Sequence, residues 1–364
     1  MRVLAFGTYD AASHPRIAVI IEGLRASGIE VEECNIPLGL DTASRVAMLN
    51  QPWRVPLLLG TLGNRWWRLA RRARRSGKPD AVLVGYLGHF DVRLARRLFR
   101  RTPIVLDHLI GASDTATDRR VTGGLKHAAL RAIDAGALRS ADVILVDTSE
   151  HLDALPAADR ARGVVIDVGA PSAWFAAPAP VEPPLKVVFF GLYTPLQGAP
   201  VIGAAIAKLA GSPISFTMVG KGQDLAATRQ LASPNGNVRW LDWVPGDELP
   251  ALVASHDVCL GIFADAGKGL RVVPNKVYQG AAAGCAVVTA DTAPQRRAME
   301  GAALLVPPGD PDALADALRS LAADPAELAR LKRAARQRVE ERFAPARIVA
   351  PLVERLRSPI SEAV

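Results

Sequence analysis

The stretch from Asp257 to Asp291 constrains the fold more than any other part of this 364-residue chain. It reads as strand, loop, helix, strand. Val258 to Phe263 is a short apolar run of the kind that fills the middle of a parallel sheet. Pro274 suits the first turn of a helix, where its missing N–H goes unused. Gly284 fits the C-terminal cap of that helix, ahead of a strand from Ala286 to Thr289. Lys268, Arg271, Asn275, Lys276 and Gln279 therefore collect where a buried strand gives way to a helix N-terminus. That is the carboxyl edge of a parallel sheet, where open α/β folds bind ligands. Cations beside a helix N-terminus suit a phosphate or diphosphate. The same loop also reads as an ordinary βαβ crossover whose charges face water.

The alternation extends along the chain. Val3–Phe6, Ile29–Glu33, Ala81–Val84, Ile104–Leu106 and Val143–Val146 are apolar strands separated by helical sequence, the first helix running from about Arg16 to Ser27. This pattern predicts an α/β fold built on doubly wound parallel sheets. The length predicts two domains of roughly 150–200 residues each. Prolines between Gly169 and Pro184 are too dense for helix or central strand. We therefore expect a first domain over 1–170, a linker over 171–185, a second domain over 186–343 and a C-terminal helical segment over 344–364.

Hydrophobic residues make up 49% of the chain and charged residues 22%, which excludes a disordered protein. Cys34, Cys259 and Cys285 sit in or beside apolar strands at no metal-ligand spacing, so they read as reduced core thiols. With no signal-peptide pattern and no membrane-spanning apolar run, a cytoplasmic protein is expected. The net charge of +8 is unevenly placed. From Trp53 to Arg101 thirteen Arg and Lys face only Asp80 and Asp91, a local balance of +11. Such a block argues for an anionic partner. Trp66–Arg75 interleaves aromatic and aliphatic residues with arginine, which fits peripheral docking on an anionic membrane through residues 53–101. It fits better a surface helix packing its Trp and Leu face on the sheet, and Phe90–Arg101 repeats the basic pattern. No nucleic-acid motif or stacking platform is present, so no nucleic-acid partner is expected.

Several loops at expected strand ends carry polar groups. The loop Gly7–Pro15 holds Tyr9 and His14, which such a sheet places on its ligand side. Asp107-His108 follows a strand directly, and Asp114 lies in the polar loop Ser113–Arg119. Carboxylates there fit sugar hydroxyls or the orientation of a reacting group, and Asp114 fits a helix cap as well. In the second half, Gly191–Gly198 and Met218–Asp224 each join strand to helix, the latter offering Lys221 to a phosphate. Gly220-Lys-Gly222 lacks the third glycine of a dinucleotide fingerprint, which counts against an NAD or FAD enzyme.

Gly191-Leu-Tyr-Thr-Pro-Leu-Gln-Gly198, Gly220-Lys-Gly222, Val238–Pro245, Pro274–Gly284 and Leu304–Asp310 occur in the order and spacing of retaining glycosyltransferases of family 4, which the chain resembles. The resemblance implies a GT-B fold, two Rossmann-like domains facing across a cleft. The C-terminal domain would hold a nucleotide diphosphate sugar, a UDP-sugar foremost, and the N-terminal domain an acceptor. It implies metal-independent transfer with no cofactor, and a C-terminal helix that returns to the first domain. Catalytic roles would fall to Arg271, Lys276, His108 and Asp107. Donor contacts would come from Gly191, Gln197, Gly198, Lys221, Val244, Asn275 and Gln279, with Trp240 and Trp243 packing.

The chain also departs from the family pattern. Two Glu eight residues apart are usual, and here those positions hold Arg271 and Gln279. The family's Arg and Lys after the first C-domain strand are replaced by Leu192 and Gln197. We expect that the cations have moved, with Arg271 and Lys276 supplying the charge that Leu192 and Gln197 cannot. A GT-B-like sugar-nucleotide epimerase or hydrolase, or a degenerate non-catalytic subunit, is the alternative.

Overall fold

The structure, a computed structural model, describes residues 1–11, 15–39, 55–86, 88–109, 124–175, 177, 180 and 182–358. His14 and Asp114 lie outside the described residues. The chain divides into two compact units, Met1–Asp167 with Pro345–Val364, and Val168–Ala344.

The first unit holds a parallel sheet of β1 (Arg2–Gly7), β2 (Glu30–Asn35), β3 (Ala81–Val84), β4 (Ile104–Leu109), β5 (Val143–Val146) and β6 (Gly163–Val165), in the order β2-β1-β3-β4-β5-β6. β3 and β5 are continuous aliphatic runs buried at every residue, as strands covered on both faces must be. β2 is an edge strand that buries only Val31 and Cys34, its exposed Glu30 and Glu33 discouraging further pairing. Leu4, Phe6, Val82, Val84, Leu106 and Ile144 meet Leu69, Val92 and Leu138 from the helices Val55–Ala73, Asp91–Leu98 and Gly124–Arg139. The terminal segment forms two helices, Pro345–Ile348 against the helix Pro15–Ala26 and Ala350–Arg357 against β6. The fit is close at Gly23, where a Cβ would stand 2.1 Å from the Pro345 carbonyl oxygen.

The second unit's parallel sheet comprises β7 (Leu185–Phe190), β8 (Ile214–Val219), β9 (Val238–Leu241), β10 (Val258–Leu260), β11 (Ala286–Ala290) and β12 (Leu304–Val306), ordered β12-β11-β10-β7-β8-β9. From β7 the chain winds outward through β8 and β9. It then returns to place β10 on the other side of β7 and winds away through β11 and β12. The strand order therefore reverses between β7 and β10, which is where such sheets open a ligand crevice beyond their carboxyl ends.

Three expectations need correction. The proline-rich stretch is no free linker at its start, because the second unit begins at Val168 and Trp174 is buried, its ring 5.4 Å from Phe190 at 22°. Stacking of two large rings fixes that segment more strongly than its prolines release it. β10 stops at Leu260, since Phe263 N–H leaves the ladder for the Gln197 carbonyl (3.0 Å). In the basic helix Val55–Ala73, Leu69 is buried and Trp66 donates its Nε1–H to Asp91 Oδ1 (2.8 Å), but Trp67 is 59% exposed. Among the described residues no helix is long and apolar enough to cross a membrane.

Candidate functional site

At the carboxyl ends of β7, β8 and β10 the loops are tied to one another by backbone hydrogen bonds. Tyr193 N–H donates to the Lys221 carbonyl and Asp224 N–H to the Tyr193 carbonyl, both at 3.0 Å, while Phe263 N–H reaches Gln197. Glycine is required where the strands end. Gly220 has φ +123°, and a Cβ there would lie 1.9 Å from the Gly191 carbonyl oxygen. Gly198 has φ +61°, and a Cβ would lie 2.5 Å from the Phe263–Ala264 peptide. Backbones this close leave no room for side chains and form a rigid rim.

Lys276 enters this rim from the first turn of the helix Asn275–Ala282. Its Nζ donates to Gln197 Oε1, lies 3.9 Å from the Phe189 ring centroid, and would stand 3.3 Å from a Cβ on Gly191. No carboxylate pairs with it among the described residues. Burial lowers its pKa to about 7, with only a small opposing pull from Cys259. The helix starts after Pro274 with no side-chain cap, so its first N–H groups keep their capacity for an acceptor. A buried ammonium lacking a counter-charge, beside an uncapped helix N-terminus at a switch point, is a place for an anion.

The other expected donor residues surround this centre unequally. Gln279 is buried on the same helix, and among the described residues no hydrogen bond to its side-chain amide is formed. Asn275 and Lys221 are exposed and Val244 half-buried. Arg271 is half-buried and closes the short turn Gly267–Leu270, its N–H on the Lys268 carbonyl at 3.0 Å. Trp243 is 68% exposed, which corrects its reading as a packing residue, whereas Trp240 packs on the core beneath the Arg229 guanidinium. Phe189 was missed by the sequence reading, because an inward strand residue gives no sign that its ring face meets a cation.

In the first unit, Asp107 and His108 end β4 and are both buried. Asp107 Oδ1 accepts from Arg16 Nε at 2.8 Å, and Arg16 also donates to the Ile166 carbonyl. Asp107 thus ties the first helix to the sheet. Burial raises its pKa and Arg16 opposes this. His108 sits edge-on to His89, ring centroids 5.5 Å apart, and His89 pairs with Asp134 at 3.3 Å. Burial, then His89, hold the His108 pKa down to about 4 against the pull of Asp134, so the ring is neutral near pH 7. Its buried Nδ1 has no hydrogen-bond partner among the described residues. Asp147 and His151 form a further buried pair beyond β5. Neither of these histidine–carboxylate pairs was singled out from sequence. Their members lie 4 and 45 residues apart, and the longer spacing is invisible without the fold. Tyr9 is buried with its hydroxyl on Glu33 Oε2 (3.1 Å), which raises its pKa together with burial.

This is a protein of two Rossmann-like units, the GT-B architecture, with Lys276 at the switch point of the second. Residues 184–324 match the family described as glycosyl transferases group 1. No curated protein sequence matches the chain. Among solved structures, the chain is similar to sucrose-phosphate synthase from Thermosynechococcus elongatus, at TM-score 0.70 and 14% identity over 98% of both chains. It is similar to Anabaena HepE in complex with UDP-glucose, at TM-score 0.69 and 15% identity over 98% of both. A trehalose-6-phosphate protein from E. coli bound with UDP-2-fluoro glucose gives 0.64 and 13%, over 98% of this chain and 99% of that one.

Proposed function

We propose that the protein is a retaining glycosyltransferase that takes a sugar from a nucleotide diphosphate sugar, a UDP-sugar foremost. The observation that carries this reading is Lys276, a buried ammonium without a carboxylate partner, held by Gln197 at the mouth of an uncapped helix. Positive charge fixed there neutralises the diphosphate as the glycosidic bond breaks, the electrostatic role that dominates such transfers. Arg271 contributes a second cation from the turn before the helix. Gln279 offers its amide to ribose hydroxyls, and the loops at Gly191, Gly198 and Lys221 admit the phosphates close to backbone N–H groups. Transfer is metal-independent in this reading, because the protein's own cations do the neutralising. His108, buried and neutral near pH 7, is a supporting polar group of the acceptor-side unit. The donor complexes named for HepE and the E. coli protein support a UDP-sugar.

Calorimetric titration with UDP, GDP and ADP, followed by a donor screen for nucleotide release in the presence of a chelator, tests the reading. Binding of UDP and chelator-resistant transfer are expected. Failure to bind any of the three would leave a degenerate subunit, the alternative raised by Arg271 and Gln279 in place of the usual glutamates. Free sugar released without acceptor would make the protein a hydrolase.

A further inference from the structure

We propose that the solvent face of the helix Val55–Ala73 and of the turn that follows it docks on an anionic lipid bilayer, with Trp67 inserted among the headgroups and arginines on lipid phosphates. The inference extends the proposed function on its acceptor side and depends on nothing at Lys276.

The helix has two unlike faces. Leu62, Leu69 and Ala73 are buried, and Trp66 is tied to Asp91, so the helix is held firmly to its unit. Gly60, Gly63, Asn64, Trp67, Arg68, Arg71, Arg72 and then Arg75 are exposed, at the three- and four-residue spacing of one helical face. Trp67 stands 59% in solvent with the Arg71 guanidinium 4.7 Å from its ring centroid. An indole flanked by arginines is the amphipathic combination that settles at a headgroup boundary.

The charge of this face is not balanced by its own acids. Asp80 accepts the Arg2 N–H at 2.7 Å, and Asp91 is buried, accepting from Thr8 and Trp66. Among the described residues no carboxylate pairs with Arg68, Arg71, Arg74 or Arg75. The helix Asp91–Leu98 packs on this one and continues the field, with Arg97, Arg100 and Arg101 exposed beside it. Surfaces kept merely soluble intersperse both signs, whereas a single-sign field attracts an anionic partner. A bilayer fits better than a polynucleotide, because Trp67, with a guanidinium over its ring, is a wedge and not a row of stacking rings.

The test is co-sedimentation of the full chain with vesicles of phosphatidylcholine alone or mixed with phosphatidylglycerol, without donor present. Binding to the mixed vesicles only, reversed by high salt, is expected. Arg68→Ser, Arg71→Ser and Arg75→Ser combined should weaken partitioning roughly a hundredfold, at about fivefold per arginine. Brominated lipid should quench wild-type fluorescence and quench Trp67→Phe markedly less. These side chains are exposed, so the thermal melts and UDP titrations of the variants should match wild type and separate this result from the donor-site reading. Equal partitioning on both vesicle types, or wild-type partitioning of the triple variant, overturns the proposal. Binding to heparin or RNA with none to vesicles also overturns it and assigns the face to a soluble polyanion.

Discussion

Lys276 Nζ donates a hydrogen bond to Gln197 Oε1, joining the first turn of one helix to the loop after β7 across 79 residues of sequence. The two positions explain each other. In the proposed reading, Gln197 takes the place of a cation of the resembled family, and Lys276 supplies that charge from another element. The amide oxygen orients the ammonium without neutralising it, as a carboxylate there would.

Lys276→Met should therefore separate function from stability. Losing one fixed donor to the leaving group typically costs about 3–4 kcal/mol of barrier, or roughly 10²–10³ in turnover. Removing an unpaired buried charge for an apolar chain of similar length should leave the melting temperature unchanged or raise it. Calorimetry and single-turnover kinetics on one preparation check both halves. Wild-type turnover would place the working charge elsewhere.

Returning the cation to the β7 loop gives a second prediction. In Gln197→Lys/Lys276→Met the ammonium again originates beside Gly191, so the double variant should recover part of the activity lost in Lys276→Met. About tenfold recovery in kcat/KM is expected, near 1.4 kcal/mol. Gln197→Lys alone would crowd two ammonium groups and should weaken UDP binding, read by calorimetric titration.

Much of this was legible before the fold. Aliphatic runs such as Ala81–Val84 and Val143–Val146 carry no polar residue and could only be central strands, and the loop around Lys276 stood out by its charge at a strand end. Other features needed three dimensions. β6 is three half-buried residues with no run long enough to mark it. Trp174 closes the start of the second unit through a ring partner 16 residues away. Asp107 was read as a polar group for a ligand, yet its partner Arg16 lies 91 residues earlier, and only the sheet order brings the two together. Trp67 and Trp66 are adjacent and identical, and helical phase alone sends one inward and the other to solvent.

Donor binding should be linked to a proton. Lys276 has a pKa of about 7 in the free protein, lowered by burial, and a diphosphate beside it restores the charged form. Above pH 7, UDP binding must take up a proton, so affinity should fall by as much as tenfold per pH unit. Calorimetry at pH 8 in buffers of different ionisation enthalpy measures the uptake, which should vanish in Lys276→Met. For folding the sign is the reverse of an ordinary ion-paired lysine. The unfolded chain holds this proton up to a pKa near 10.5, so between pH 7 and that value the unfolded state binds more protons. The Lys276 contribution to stability therefore rises with pH across that window.

His108 makes the opposite end of the pH range sensitive. Its pKa is held down to about 4, chiefly by burial and next by His89, while Asp134 and Asp159 favour the proton and His151 opposes it. Between about pH 4 and the ordinary histidine value near 6.5 the unfolded chain binds a proton that the folded chain refuses. The contribution of His108 is present in full above that window and is lost as pH falls through it. His108→Gln keeps a polar side chain but cannot titrate, and should remove about 1–2 kcal/mol of the stability difference between pH 7 and pH 5. Urea unfolding of both proteins at the two pH values reads this directly. An unchanged difference would mean that His108 does not carry the acid sensitivity.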